Sequence, residues 1–303
     1  MGPAREIDKA SEILPERIAT TLAEADHLFA RIHPHADPFF VQRVFHDTVR
    51  LFRGEYPGYR ASSTKYHDLR HTLSVFLAAA RLAHGAVCAG QELSLRGTEL
   101  LLAGALLHDA GFIQTADDIE GTGAKYMVGH EERSIAFLTH YFTSQGRPPR
   151  DILDGAQLIA CTILEKPLSE IPFASSETEL LGQILGSADI LAQMADRRYL
   201  EKLLLLYREL DEAGIVGFDS ELTLLSKTQE FYEGLVKRRL SNELKDAGRF
   251  MRAHFRVRWD LDEDPYDRAI RNNLTYLDQV LKGRRGDYRV SFRRVGVAAE
   301  LED

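Results

Sequence analysis

LLLAGALLHDAGF, residues 100–112, decides how this chain folds. Its apolar run, Leu100 to Leu107, is eight residues long, far short of the roughly 20 that a membrane-spanning helix needs. Read as a helix over about 94–108, it turns Leu101, Leu102 and Ala105 inward. The same face continues to His108 and Asp109, and Gly111 follows as a natural helix stop. An adjacent imidazole and carboxylate therefore stand at the buried end of a strongly apolar helix.

Working outward, a helical period recurs along the chain. It predicts helices near 9–32, 37–53, 68–84, 130–144, 150–164, 177–195, 197–212, 220–239, 241–255 and 265–282. Strand-like alternation is confined to Tyr288–Phe292. Prolines at 34, 38, 57, 148, 149, 167, 172 and 265 fall between these patterns, where a missing N–H and a fixed φ do least harm. No repeat and no Gly/Ser-rich linker divides the chain. The expectation is one all-α domain over 1–283, a helical bundle with additional C-terminal helices, and a charged tail over 284–303.

The 303 residues carry 38 Lys plus Arg against 46 Asp plus Glu, a net charge of −8. That acidic balance argues against a nucleic-acid or membrane-surface footprint. Cys88 and Cys161 are the only cysteines, so neither a disulfide framework nor a cysteine zinc site is available. With no apolar h-region near the N-terminus, a reducing, cytoplasmic setting is expected.

Other ionisable residues also lie on apolar stripes. His71 precedes Val75, Phe76, Ala79 and Leu82 by one turn, and His67 lies four residues earlier. Asp189 is set among Leu181, Leu185, Ala188 and Ala192. His130 leads the face of Phe137, Leu138 and Tyr141. A buried, unpaired carboxylate costs several kcal/mol or gives up its charge. No Lys or Arg lies within a turn of Asp109, and those near Asp189 begin at Arg197. One or two divalent ions shared by His71, His108, Asp109 and Asp189 would resolve the conflict. The mixed N/O donor set suits Zn, Mn, Fe, Ni or Co, with Mg also open.

The order His71, then His108-Asp109, then Asp189 within LGSADILAQ resembles the HD-domain metal-dependent phosphohydrolases over about 60–195. That resemblance implies an HD-like helical bundle whose core binds metal through these residues. YHDLRHTLSV (66–75) is similar to the YHNxxHxxDV segment of class I cyclic-nucleotide phosphodiesterases. Carried over, it makes His71 a ligand, His67 the proton donor to the leaving oxygen, and Tyr66 a substrate contact. LLSKTQEFYEGLVKRRL (224–240) resembles their base-binding helix, which puts Gln229 on a nucleobase and Tyr232 as its clamp. Both are expected on an inward stripe of Leu222, Leu225, Gln229, Tyr232 and Val236. GHEERSIAFL (129–138) is similar to the helix that follows the His-Asp pair in many HD proteins. It implies His130 as ligand to a second metal bridged by Asp109, or Glu131 as a residue orienting water.

The departures are specific. HDAGFIQ has Phe112 where the phosphodiesterases place a further His, and Asp68 replaces their Asn. His140 faces away from His130. The expected activity is metal-assisted hydrolysis of a phosphoester, that of a nucleotide, with a metal-activated water as nucleophile. The alternatives are an HD-family nucleotidase or phosphomonoesterase, a di-iron oxidative enzyme, which would want more histidines, and a non-catalytic regulatory scaffold. The expected partner is a small phosphoester. The helices over 197–282 are compatible with either a homo-oligomer face or a cap over the pocket.

Overall fold

The computed structural model of the chain describes residues 18–283 and 288–292. Its α-helices are α1 (Ile18–Ile32), α2 (Phe39–Phe52), α3 (Leu69–Cys88), α4 (Leu95–Leu107), α5 (His130–Ser144), α6 (Pro149–Ala160), α7 (Ser176–Ala195), α8 (Tyr199–Glu212), α9 (Glu221–Phe231), α10 (Phe250–Trp259), α11 (Pro265–Gly283) and the single turn α12 (Tyr288–Ser291). The chain is all-α: among the described residues there are no strands, and extended pairing is limited to the isolated bridges Arg53–Ala61 and Tyr59–Thr115. No described helix is long and apolar enough to cross a membrane.

Helix α3 is the axis. It is apolar almost all round because α1, α4, α7 and α10 all pack on it. Val75, Phe76, Ala79 and Leu82 are fully buried, and each side chain of Phe or Leu size contributes roughly 1.5–3 kcal/mol. Helix α4 lies against α2, α3, α6 and α7. Side-chain caps fix where the site-bearing helices begin. Asp68 accepts the His71 N–H at the start of α3, Ser94 that of Gly97 on α4, and Ser175 that of Thr178 on α7. An Asp at 68 caps as well as the Asn it replaces in the resembled motif.

Several expectations need correction. Gly111 does not stop a helix. α4 ends at Leu107 with His108 as C-cap, and residues 110–112 form a 3-10 turn in which Gly111 has no left-handed φ. The glycine serves close approach instead, since a Cβ there would lie 1.9 Å from the His130 carbonyl oxygen. The helices expected over 220–239 and 241–255 are not two smooth rods. After α9 come π turns at Tyr232–Val236 and Arg239–Glu243, a reversal with Lys245 and Asp246 in left-handed φ, and then α10. This break lets Arg239 reach the carbonyls of Cys161, Ile163 and Lys166 while Leu244 packs with Cys161, Leu168 and Ile171. Tyr288–Phe292 is a helical turn, not a strand. The Tyr288 hydroxyl and the Arg289 guanidinium both donate to Glu221 at 2.9 Å, and Phe292 is buried, so this part of the expected tail packs on the body. The expected helical residues 9–17 and the charged residues 284–287 and 293–303 lie outside the described residues.

Candidate functional site

Three helices deliver the predicted ligands to one place. His71 comes from the first turn of α3, His108-Asp109 from the end of α4 and Asp189 from the middle of α7. His71 Nε2 is 3.4 Å from Asp109 Oδ2 and 3.2 Å from Asp189 Oδ1. His108 Nε2 is 3.3 Å from Asp109 Oδ2 and 3.7 Å from Asp189 Oδ1. Ligating atoms of His71, His108 and Asp109 all lie within 4.8 Å of one another, and Asp189 approaches both imidazoles from outside that trio. Four donors at about 2.1 Å from a tetrahedral ion stand about 3.4 Å apart. The observed separations bracket that value.

The local chemistry fits a cation. The His108 ring Nδ1 lies 2.9 Å from the Ala105 carbonyl, which can only accept, so Nδ1 carries the proton and Nε2 offers its lone pair inward. His108 Nε2 and Asp109 Oδ2 are buried without a hydrogen-bond partner, an arrangement that costs free energy unless something fills it. Burial lowers the His108 pKa, but the Asp109 and Asp189 carboxylates outweigh it and hold the group up at about 9. Burial likewise works against the Asp109 charge, and the surrounding imidazoles win, keeping its pKa well below the usual range.

His130, at the N-terminus of α5, presents its ring on the opposite side of Asp109. Its Nδ1 is anchored on the Met127 carbonyl at 2.8 Å, and Nε2 lies 3.7 Å from Asp109 Oδ1. Asp109 thus turns one oxygen to His71 and His108 and the other to His130, the disposition of a bridging carboxylate. Phe112 stacks on His67 and His130 with ring centroids at 4.4 and 4.3 Å. Glu131 Oε2 sits 3.2 Å from His130 Nδ1, and burial raises its pKa. His140 is exposed, as expected.

His67 stands beside the cluster, its ring centroid 6.0 Å from that of His71. Its Nδ1 is 2.8 Å from Glu209 Oε2, while Glu209 Oε1 accepts the backbone N–H groups of Lys65 and Tyr66, each at 2.7 Å. Burial alone would lower the His67 pKa, but the hydrogen bond and charge of Glu209 raise it. Tyr66 is buried next to it, its hydroxyl bonded to Gln193 and its ring facing the Lys202 ammonium at 5.2 Å.

Gln229 and Tyr232 do not join this constellation. Gln229 is exposed and donates to Glu233, because α9 buries Leu224, Leu225 and Thr228 and so turns Gln229 outward. Tyr232 is buried, but the charges around it are Lys237, Asp267, Glu233 and Arg271 rather than the imidazole cluster. Sequence reading missed Glu209 and Lys202. Their only signal was a seven-residue spacing on α8, with Leu205 between them on one helical face.

A family model described as Npun_R2479-like matches residues 58–249, well over half of the chain, and the chain belongs to that family. The matched segment contains Tyr66, His67, His71, His108, Asp109, His130, Asp189, Lys202 and Glu209. No curated protein and no solved structure matches the chain.

Proposed function

We propose that this Npun_R2479-like protein is a metal-dependent phosphohydrolase that cleaves a small phosphoester, with the nucleotide phosphoesters as the expected group. The observation that carries the reading is the convergence of His71, His108, Asp109 and Asp189 from three helices, with His108 Nε2 and Asp109 Oδ2 buried and unpartnered. The sequence resemblance to HD-domain phosphohydrolases supports the same reading. A base clamp by Gln229 and Tyr232 is no longer part of it.

The four residues would hold the first divalent ion, and Asp109 Oδ1 with His130 would contribute to a second. Such an ion supplies Lewis acidity, which acidifies water and withdraws charge from a phosphoryl oxygen. The chain's own residues do the rest. Glu209 raises the His67 pKa and fixes its Nδ1, leaving Nε2 as the edge that meets a substrate. From there it can give a proton to the departing alkoxide, a role worth about 10²–10⁴-fold in rate. Phe112 covers one face of that ring and keeps water from it. Positioning of this kind, with charge stabilisation, is most of what phosphoryl transfer requires.

The test is elemental analysis of protein purified without chelator or immobilised nickel, followed by hydrolysis assays with phosphomonoesters and phosphodiesters. Asp109→Ala is expected to lose both the ion and turnover. A folded Asp109→Ala variant that still hydrolyses its ester without bound metal would refute the centre.

A further inference from the structure

Arg133, one turn into α5, joins the pieces of chain that surround His130. Its Nε donates to the Gly111 carbonyl at 2.7 Å and its Nη2 to the Ile113 carbonyl at 3.2 Å. Beside it, the fully buried Ser134 hydroxyl accepts the Gly111 N–H at 2.9 Å. Helix α5 therefore holds both backbone groups of Gly111, two residues beyond Asp109. The contact is as close as a glycine allows, since a Cβ there would meet the His130 carbonyl oxygen at 1.9 Å.

The same guanidinium covers the Tyr126 ring, its central carbon 3.5 Å from the ring centroid. Tyr126 precedes Met127, whose carbonyl takes the His130 Nδ1 proton at 2.8 Å, closer than Glu131 Oε2 at 3.2 Å. That bond leaves the Nε2 lone pair to face Asp109 Oδ1, 3.7 Å away. A planar fork can bind two carbonyls and stack on a ring at once. A lysine ammonium would bring the charge without the fork or the plane.

We infer that Arg133 is the positioning residue for a second divalent ion: by tying the 109–113 turn and residues 126–127 to α5, it sets the approach of His130 Nε2 to Asp109 Oδ1. This rests on the metal-centre reading and deepens it. The charge of Arg133 cannot be its contribution, because a guanidinium near a cation site repels the cation. Removing the side chain would tighten the second ion if electrostatics ruled and loosens it if geometry does. His71, His108 and Asp189 are carried by α3, the end of α4 and α7, so the first ion should keep its affinity.

The experiment uses the full-length protein, freed of metal and titrated with Mn²⁺ by calorimetry, with urea unfolding as a control on stability. Electron paramagnetic resonance follows the same titration, because two Mn²⁺ ions sharing a carboxylate couple and lose the signal of isolated ions. Wild type should take up Mn²⁺ in two steps. Arg133→Met and Arg133→Lys should keep the first step and bind the second ion about 10–100-fold more weakly, with the coupled signal displaced to higher Mn²⁺. Tyr126→Leu removes only the stacked ring and should weaken the second step in the same direction, which keeps the test decisive if Arg133→Met does not fold. A second step undiminished or tighter in Arg133→Met, a second step restored by Arg133→Lys, or equal losses at both steps would each overturn the inference. A single step in wild type would overturn it and leave the four-residue centre standing. No step at all would sink the metal-centre reading with it.

Discussion

Replacing Glu209 by Gln removes a charge and almost nothing else. The amide oxygen can still accept the Lys65 and Tyr66 N–H groups, each held at 2.7 Å in the native protein. The change falls on His67, whose Nδ1 now lies 2.8 Å from a carboxylate. A hydrogen bond to a charged group contributes about 1.5–3 kcal/mol. Its loss should disfavour the protonated ring by a similar amount and so lower the His67 pKa. Burial, the largest opposing influence, is then countered by the Asp109 charge alone, and the His67 pKa should fall. The assay is an NMR titration of the His67 ring in both proteins, with the high-pH limb of kcat as a second readout. That limb, where the donor loses its proton, should move to lower pH in the variant. The stability difference follows with a definite sign. In wild type the raised pKa contributes stability that is complete below pH 6.5 and disappears as pH rises through the folded value. The variant should therefore be weakest relative to wild type in mild acid. An unchanged His67 titration would refute the assigned role of Glu209 as the positioning residue.

Two further outcomes are expected. Gly111→Ala places a Cβ 1.9 Å from the His130 carbonyl oxygen, so the start of α5 must retreat by roughly 1 Å, at a cost of about 1–3 kcal/mol. Urea unfolding should show the loss and elemental analysis a lower ion stoichiometry, and an unmoved urea midpoint would contradict the close approach. At the far end of α3, burial holds His84 down at about 4, and burial with the nearby Arg81 charge holds His254 at about 2. The unfolded chain then binds up to two more protons than the folded one, so stability is full above pH 6.5 and falls on acidification by as much as about 2.7 kcal/mol per pH unit. His254→Asn should roughly halve that slope in urea unfolding at pH 7, 6 and 5, and an unaltered slope would count against it.

The helices were legible where an apolar stripe repeated in register, as in α3, α4 and α7, because burial on one face leaves a 3.6-residue trace in composition. The ligand cluster was legible for a related reason. His71, His108, Asp109 and Asp189 interrupt those stripes, and an ionisable group on a buried face is a conflict visible without coordinates. Gln229 was misplaced because two registers compete on α9. Thr228 and Gln229 are neighbours, and packing against the rest of the bundle, rather than the pattern, selects the one that is buried.

The sequence by itself thus determined the all-α architecture, the core of the bundle and the set of groups able to share a cation, since each is written in local periodicity. Only the tertiary structure decided what those groups meet. Glu209 is 142 residues from His67, and Lys202 is 134 residues from Asp68, yet each pair is in contact. On α8 these two residues look like the polar side of any amphipathic helix. Their meaning arises when packing presses that side against residues 65–68, just ahead of α3, where burial turns an ordinary glutamate and lysine into groups that must find a partner.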